Sequence, residues 1–246
     1  MSTVIAVTSG KGGTGKTSLT GAVGSCLAAL GHPTLCIDMD VGLRNLDLSL
    51  GLSDRALMDF TDVTQGRCPL ERAAVEHPDI QGLYLLTAPF SLSGTVSEGD
   101  MLALLGQARQ QFEYILLDAP AGLGECFQLA VCGCDRAIVV STPDASALRD
   151  AQRTVGELGR LGVGEVHLVV NRVQPKLLKK LHTTIDDAMN TAGLPLLGVV
   201  PEDANVMLCA NRGVPLILHA NKGAAIGYRN VALRLTGRRV RVMSMR

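Results

Sequence analysis

Ser9-Gly10-Lys11-Gly12-Gly13-Thr14-Gly15-Lys16-Thr17 combines the groups needed to hold a polyanion. Gly10, Gly15, Lys16 and Thr17 fit the spacing G-x-x-x-x-G-K-[ST], in which glycines let backbone N–H groups close around phosphate oxygens. A helix starting at the last two residues adds favourable positive potential. In such a cradle the Lys16 ammonium reaches the β- and γ-phosphates and the Thr17 hydroxyl ligates Mg²⁺. A glycine turn that merely caps a helix is the plainer alternative.

Lys11 is less easily explained, because a phosphate cradle does not need a second lysine and two of the chain's six lysines sit in this loop. On the outer flank it would compete with Lys16 for the same γ-phosphate. A nucleotide bound by a second subunit is therefore its expected target, with a solvated loop lysine as the alternative.

Three carboxylates follow apolar runs. Thr34-Leu35-Cys36-Ile37 ends in Asp38-Met39-Asp40, and Tyr114-Ile115-Leu116-Leu117 ends in Asp118, followed by Ala119-Pro120-Ala121-Gly122. Open α/β sheets bind ligands at the C-terminal ends of their strands. Residues two apart on an extended segment point the same way, so Asp38 and Asp40 can face one crevice beside the loop. One of them could then bind Mg²⁺ through water while the other orients an attacking water. Asp118 has the Walker B position, holding Mg²⁺ through its water shell, and the Pro-Ala-Gly stretch could move on loss of a γ-phosphate. Asn171 and Pro201-Glu202-Asp203, each just past an apolar run, are placed where an adenine ring could rest on backbone and amide groups.

The elements that must position these residues alternate. Strand patterns at Thr3–Thr8, 34–37, 83–86, 114–118, 137–141, 166–170 and 196–200 are separated by helical spacing at 18–30, 97–111, 146–161 and 176–191, with two short helices between 56 and 77. Residues 88–94 form a loop of unassigned role. The strand patterns are continuous apolar runs without polar alternation, as strands covered on both faces require. The reading is a single α/β domain with a mostly parallel, twisted central sheet flanked by helices on both faces, spanning 1–237, and a basic and apolar tail over 238–246.

The 23 basic and 23 acidic residues balance, so the chain as a whole calls for neither nucleic acid nor an anionic surface. Its apolar runs all break before the ~18 residues a membrane span needs, and the N-terminus has no basic-then-apolar leader, so a cytoplasmic protein is expected. Seven cysteines without scaffold spacing are expected to be reduced.

Taken together, the phosphate loop, Asp38-Met39-Asp40-Val41-Gly42-Leu43-Arg44-Asn45-Leu46-Asp47, Asp118-Ala119-Pro120-Ala121-Gly122 and Pro201-Glu202-Asp203 resemble, in order and over nearly the whole chain, the MinD group of septum-site-determining ATPases. These belong among the MinD/ParA P-loop ATPases with a deviant Walker A loop. Gly42-Leu43-Arg44-Asn45-Leu46-Asp47 discriminates best, since partition ATPases generally carry Pro-Gln after the second aspartate.

The resemblance implies an ATPase that cycles between an ATP-bound homodimer and an ADP-bound monomer in selecting the division site. It makes Lys11 the signature lysine that crosses onto the partner's phosphates, Asp40 the residue that positions water, and Lys11, Lys16 and Asp40 the catalytic set. Thr17, Asp38 and Asp118 would serve Mg²⁺. Gly10, Lys11, Gly12, Gly13, Thr14, Gly15, Lys16, Thr17 and Ser18 would contact ATP or ADP, and Asn171, Pro201, Glu202 and Asp203 its adenine.

The same resemblance likens Ser146-Ala147-Leu148-Arg149-Asp150-Ala151-Gln152-Arg153 to the helix on which the family binds a MinC inhibitor and a MinE activator, with Gln152 standing where relatives often carry an acid. It also implies peripheral attachment to the inner face of the cell membrane. Here, however, the tail Arg238-Arg239-Val240-Arg241-Val242-Met243-Ser244-Met245-Arg246 lacks the lysine- and phenylalanine-rich helix of relatives, leaving weak contact with anionic lipid. Two alternatives stand beside this reading: a metal-inserting or iron–sulfur carrier ATPase using Cys132 and Cys134, and a partition-type ATPase that binds DNA.

Overall fold

The computed structural model describes residues 2–91 and 96–243. The first strand, β1 (Thr3–Thr8), shows how the sheet is covered: Val4 and Ala6 face one apolar core while Ile5 and Val7 face another, all essentially without solvent contact. Chain order continues with α1 (Lys16–Ala29), β2 (Thr34–Asp38), α2 (Asn45–Leu50), α3 (Phe60–Thr64), α4 (Leu70–Ala73), β3 (Val75–Glu76), β4 (Leu83–Leu86), α5 (Glu98–Ala108), β5 (Tyr114–Asp118) and α6 (Glu125–Val131). The second half runs β6 (Arg136–Ser141), α7 (Ala145–Arg160), β7 (Glu165–Val173), α8 (Pro175–Leu181), α9 (Ile185–Ala192), β8 (Leu196–Pro201), α10 (Ala204–Arg212), α11 (Leu216–His219) and α12 (Ala224–Leu235).

The eight strands form one sheet in the order β3-β4-β2-β5-β1-β6-β7-β8, parallel except for the antiparallel pair β3 and β4 at one edge. The alternation on β1 recurs on β5 and β6, where Ile115, Leu117, Ala137 and Val139 face the first core and Leu116, Ile138 and Val140 the second. Side chains of α5, α6, α7 and α9 close the first core, and those of α1, α2 and α12 the second. Burial on both faces is why these strands read as unbroken apolar runs. The architecture is the expected single-domain α/β P-loop NTPase fold.

Several local expectations change. The helical pattern at 176–191 is two helices, because His182 adopts a left-handed conformation (φ 51°) that ends α8 and Thr184 starts α9 with a capping box. The Thr184 hydroxyl accepts from the Asp187 N–H while the Asp187 carboxylate accepts from the Thr184 N–H, at 3.1 and 2.8 Å. β2 ends at Asp38, the Met39 N–H still donates to the Asp118 carbonyl at 3.0 Å, and the chain turns over residues 41–43 beyond Asp40. The short helix α2, the two-residue strand β3 and the helices α10, α11 and α12 are additions to the sequence reading. Of the loop 88–94 and the tail, residues 92–94 and 244–246 lie outside the described residues.

Candidate phosphate and metal site

The C-terminal ends of β1, β2 and β5 are neighbours in the sheet, and the glycine-rich loop leaves β1 above them. Its shape is set by close contacts. Gly15 has φ +91°, and a Cβ there would sit 2.3 Å from the Asn171 amide nitrogen, so both conformation and space demand glycine. A Cβ on Gly10 would lie 2.3 Å from the Asp150 backbone of α7, whereas Gly12 and Gly13 have open space beside them. The loop is thus tightly packed at Gly10 and Gly15, with room for a side chain only between them.

Outside partners fix this packing. Asn171, buried at the end of β7, donates from Nδ2 to the Thr14 carbonyl at 2.8 Å. Arg172 follows with φ +56°; it donates from Nη1 to the Gly13 carbonyl at 3.2 Å and from Nε to Glu202 Oε2 at 2.8 Å. Of the expected adenine residues, Asn171 and Glu202 are brought beside the loop, and the acidic ones have further partners. Glu202 pairs with Arg172, and Asp203 caps α10 through the Asn205 N–H at 2.9 Å and accepts from Ala224 N–H at 3.0 Å. A cavity of about 380 Å³ lined by Gly12, Gly13, Pro143, Arg172 and Glu202 opens next to the loop.

Beneath the loop lies a concentration of buried charge. Asp38 and Asp118 are paired across β2 and β5 and are 0% and 1% exposed. Burial pushes the Asp38 carboxyl up to about 6 despite N–H donors from Asp40 and Leu46. Burial and the neighbouring Asp38 push Asp118 up to about 7, against hydrogen bonds from Thr17 and Thr20 and the charge of Lys16. Thr20 is within 3.2 Å of Asp118 Oδ1 and was not among the expected residues, although it lies one turn after Lys16, whose carbonyl it also reaches at 3.0 Å. Lys16 itself is buried. Asp40 stands half-buried at the crevice rim, its carboxyl raised by burial and eased by Lys16.

Two buried carboxylates with hydroxyls alongside form an all-oxygen donor set suited to a hard divalent cation. Among the described residues the buried Thr14 hydroxyl has no hydrogen-bond partner, as a group waiting for a ligand would. The residues thus fit both Mg²⁺ and a phosphate chain.

Lys11 points away from this crevice. Its ammonium lies 3.2 Å from Asp144 Oδ1 and 2.9 Å from Ser146 Oγ at the start of α7. Burial raises the Asp144 carboxyl, but donors from Ser146, Thr142, the Ala147 N–H and Lys11 outweigh it and hold the group well below the usual carboxylate range.

Cys132 and Cys134 pack against the first core, and burial pushes both thiols up to about 11. Among the described residues no group of three or more His, Cys, Asp or Glu side chains is placed to hold a metal ion. Thiols raised this far and packed against the core do not favour the metal-carrier alternative.

The raised carboxyls fix the sign of a pH effect. A folded pKa above the unfolded value stabilises the fold fully below about pH 4, and that stabilisation is lost as pH rises through about 6 and 7. The ligand-free chain should therefore melt at a falling temperature from pH 5 to 8, and Asp118→Asn should flatten the slope. An equal slope in both proteins, by differential scanning calorimetry, would contradict this placement of charge.

Comparison with known proteins agrees with this geometry. The family model described as "CobQ/CobB/MinD/ParA nucleotide binding domain" matches residues 5–216. The septum site-determining protein MinD of Synechocystis is 37% identical over 240 residues, covering 96% of this chain and 90% of the relative. Among solved structures, the MinC:MinD cell division protein complex of Aquifex aeolicus superposes with a TM-score of 0.92 at 34% identity, covering 99% of both chains. MinD of Pyrococcus horikoshii complexed with Mg-ADP gives 0.84 at 26% identity and 96% of both. The chain belongs to the MinD/ParA nucleotide-binding family, and within it to the MinD group.

Proposed function

We propose that the chain is a MinD-type ATPase of division-site selection that binds ATP with Mg²⁺ in this crevice and uses hydrolysis as a switch. The observation that carries the reading is the convergence, at three adjacent strand ends, of a glycine loop, a buried lysine and two buried carboxylates. Backbone N–H groups from Gly10 to Ser18 would wrap the phosphates, and Lys16 would pair with the β- and γ-oxygens. Thr17, Asp118 and Asp38 would hold Mg²⁺, which would supply positive charge to offset that of the phosphates.

Asp40 would orient the attacking water from the rim. Lys11 is assigned to a second copy's phosphates, where its charge meets the negative charge that builds during transfer, so the site is complete only in an ATP-loaded homodimer. Asn171 with Pro201, Glu202 and Asp203 would border the adenine. Hydrolysis removes the γ-phosphate that both protomers share and lets the pair separate.

Partners of MinC and MinE type are assigned to the exposed face of α7, whose Gln152 and Arg153 are solvent-facing. Family membership favours this over DNA partition or metal carriage. No helix among the described residues is long and apolar enough to cross a membrane. The membrane contact is instead assigned to Arg238, Arg239 and Arg241, which are exposed and worth about 1 kcal/mol each near an anionic surface.

Four measurements check this. Lys16→Ala should abolish nucleotide binding, while Asp40→Ala should bind ATP, lose turnover by about 100-fold or more, and run as a dimer on size exclusion with ATP but not ADP. A monomer under both conditions would exclude the switch. In liposome co-sedimentation, ATP should increase binding to anionic vesicles, and replacing the three tail arginines with alanine should remove the increase; equal pelleting of both proteins would exclude the tail.

A further inference from the structure

The turn between β2 and α2 carries Asp40 and is held from two sides. On the sheet side, the Asp38 carboxylate accepts the Asp40 N–H at 2.9 Å and the Leu46 N–H at 3.1 Å. On the outer side the holder is Arg44. Its side chain is only 9% exposed, and Nη2 donates to Asp47 Oδ2 and to the Ala56 carbonyl, both at 3.0 Å. Its backbone N–H points back to the Asp40 carbonyl at 3.3 Å, so wherever Arg44 sits, Asp40 is tied to it.

The guanidinium face is covered by Phe90, whose ring centre lies 4.3 Å from the Arg44 Cζ. Phe90 is 74% exposed, a poor place for a large apolar ring unless the ring serves its one covered face. The preceding residue joins the same grip, since the Gly42 N–H donates to the Pro89 carbonyl at 3.1 Å. A stacked cation needs the negative face of an aromatic ring, which an aliphatic side chain of similar size cannot supply. Among the described residues the buried Arg44 Nε has no hydrogen-bond acceptor.

We propose that Phe90 is a positioning residue for Asp40, acting through Arg44: the ring pins the guanidinium, the guanidinium fixes the turn, and the turn sets where the Asp40 carboxylate meets the reaction. The role of Asp40 rests on the function proposed above, whereas the pinning of the turn does not. This gives the loop after β4, unassigned in the sequence, a task in the hydrolysis step.

The test uses Phe90→Ala, Phe90→Leu, Phe90→Tyr and Phe90→Trp in the full chain. Because Phe90 is exposed, all four should keep the wild-type melting temperature. Amide hydrogen exchange over residues 40–46 of the ligand-free protein should speed up about two- to five-fold in the Ala and Leu variants and stay at the wild-type rate in the Tyr and Trp variants. ATP turnover should divide the same way, with kcat lowered about two- to five-fold in Ala and Leu and KM unchanged. Leucine behaving like tyrosine, or exchange equal in all four, would overturn the proposal. Exchange that divides as expected in a chain without ATP turnover would uphold the pinned turn and count against the ATPase reading instead.

Discussion

Asp38 and Asp118 sit side by side on adjacent strands with almost no access to water, and this arrangement is tolerable only because of what surrounds it. Two like charges in a poorly solvated place repel, and each raises the cost of ionising the other. Lys16, the Thr17 and Thr20 hydroxyls and the Asp40 and Leu46 N–H groups all turn toward the pair. In the proposed function a divalent cation would supply what remains uncompensated, and its charge would favour a phosphate chain in the loop above. The glycine loop, the buried lysine and the carboxylate pair are in this sense one electrostatic unit.

The same unit is coupled to the surface. Gly10 lies against the backbone of α7 at Asp150, and Lys11 rests on Asp144 and Ser146 at the start of that helix. Asn171 and Arg172 bind the loop from the other flank and tie it to the end of β8 through Glu202. In the proposed dimer the Lys11 ammonium has to leave Asp144 to cross to its partner, so nucleotide state is felt at the N-terminus of the helix assigned to partner proteins.

Much of this was legible in the sequence, and the failures are instructive. The phosphate loop and the acidic strand ends could be read because their chemistry is local: consecutive residues supply the turn, the lysine and the hydroxyl. The parallel strands were legible because burial on two faces removes polar alternation, as along Val4 to Val7. The split at His182 escaped because a left-handed residue other than glycine leaves no composition signal, although Thr184 and Asp187 do carry a capping box. Phe90 escaped for a different reason: a ring stacked on a cation 46 residues away in sequence is a property of the folded chain alone. The capping of α10 by Asp203 also escaped, because spacing does not show which carboxylate at a strand end faces the next helix.

The central claim is that the buried carboxylates await a cation that arrives with a phosphate chain. It is tested most directly by calorimetric titration of a Mg²⁺-loaded, non-hydrolysable ATP analogue into the protein at pH 6.5, in two buffers of different ionisation enthalpy. Cation binding should deprotonate the pair, so the heats should differ between buffers by an amount corresponding to roughly one proton released per site, and Asp118→Asn should remove most of that difference. Identical heats in the two buffers, or a release that persists unchanged in Asp118→Asn, would contradict the account.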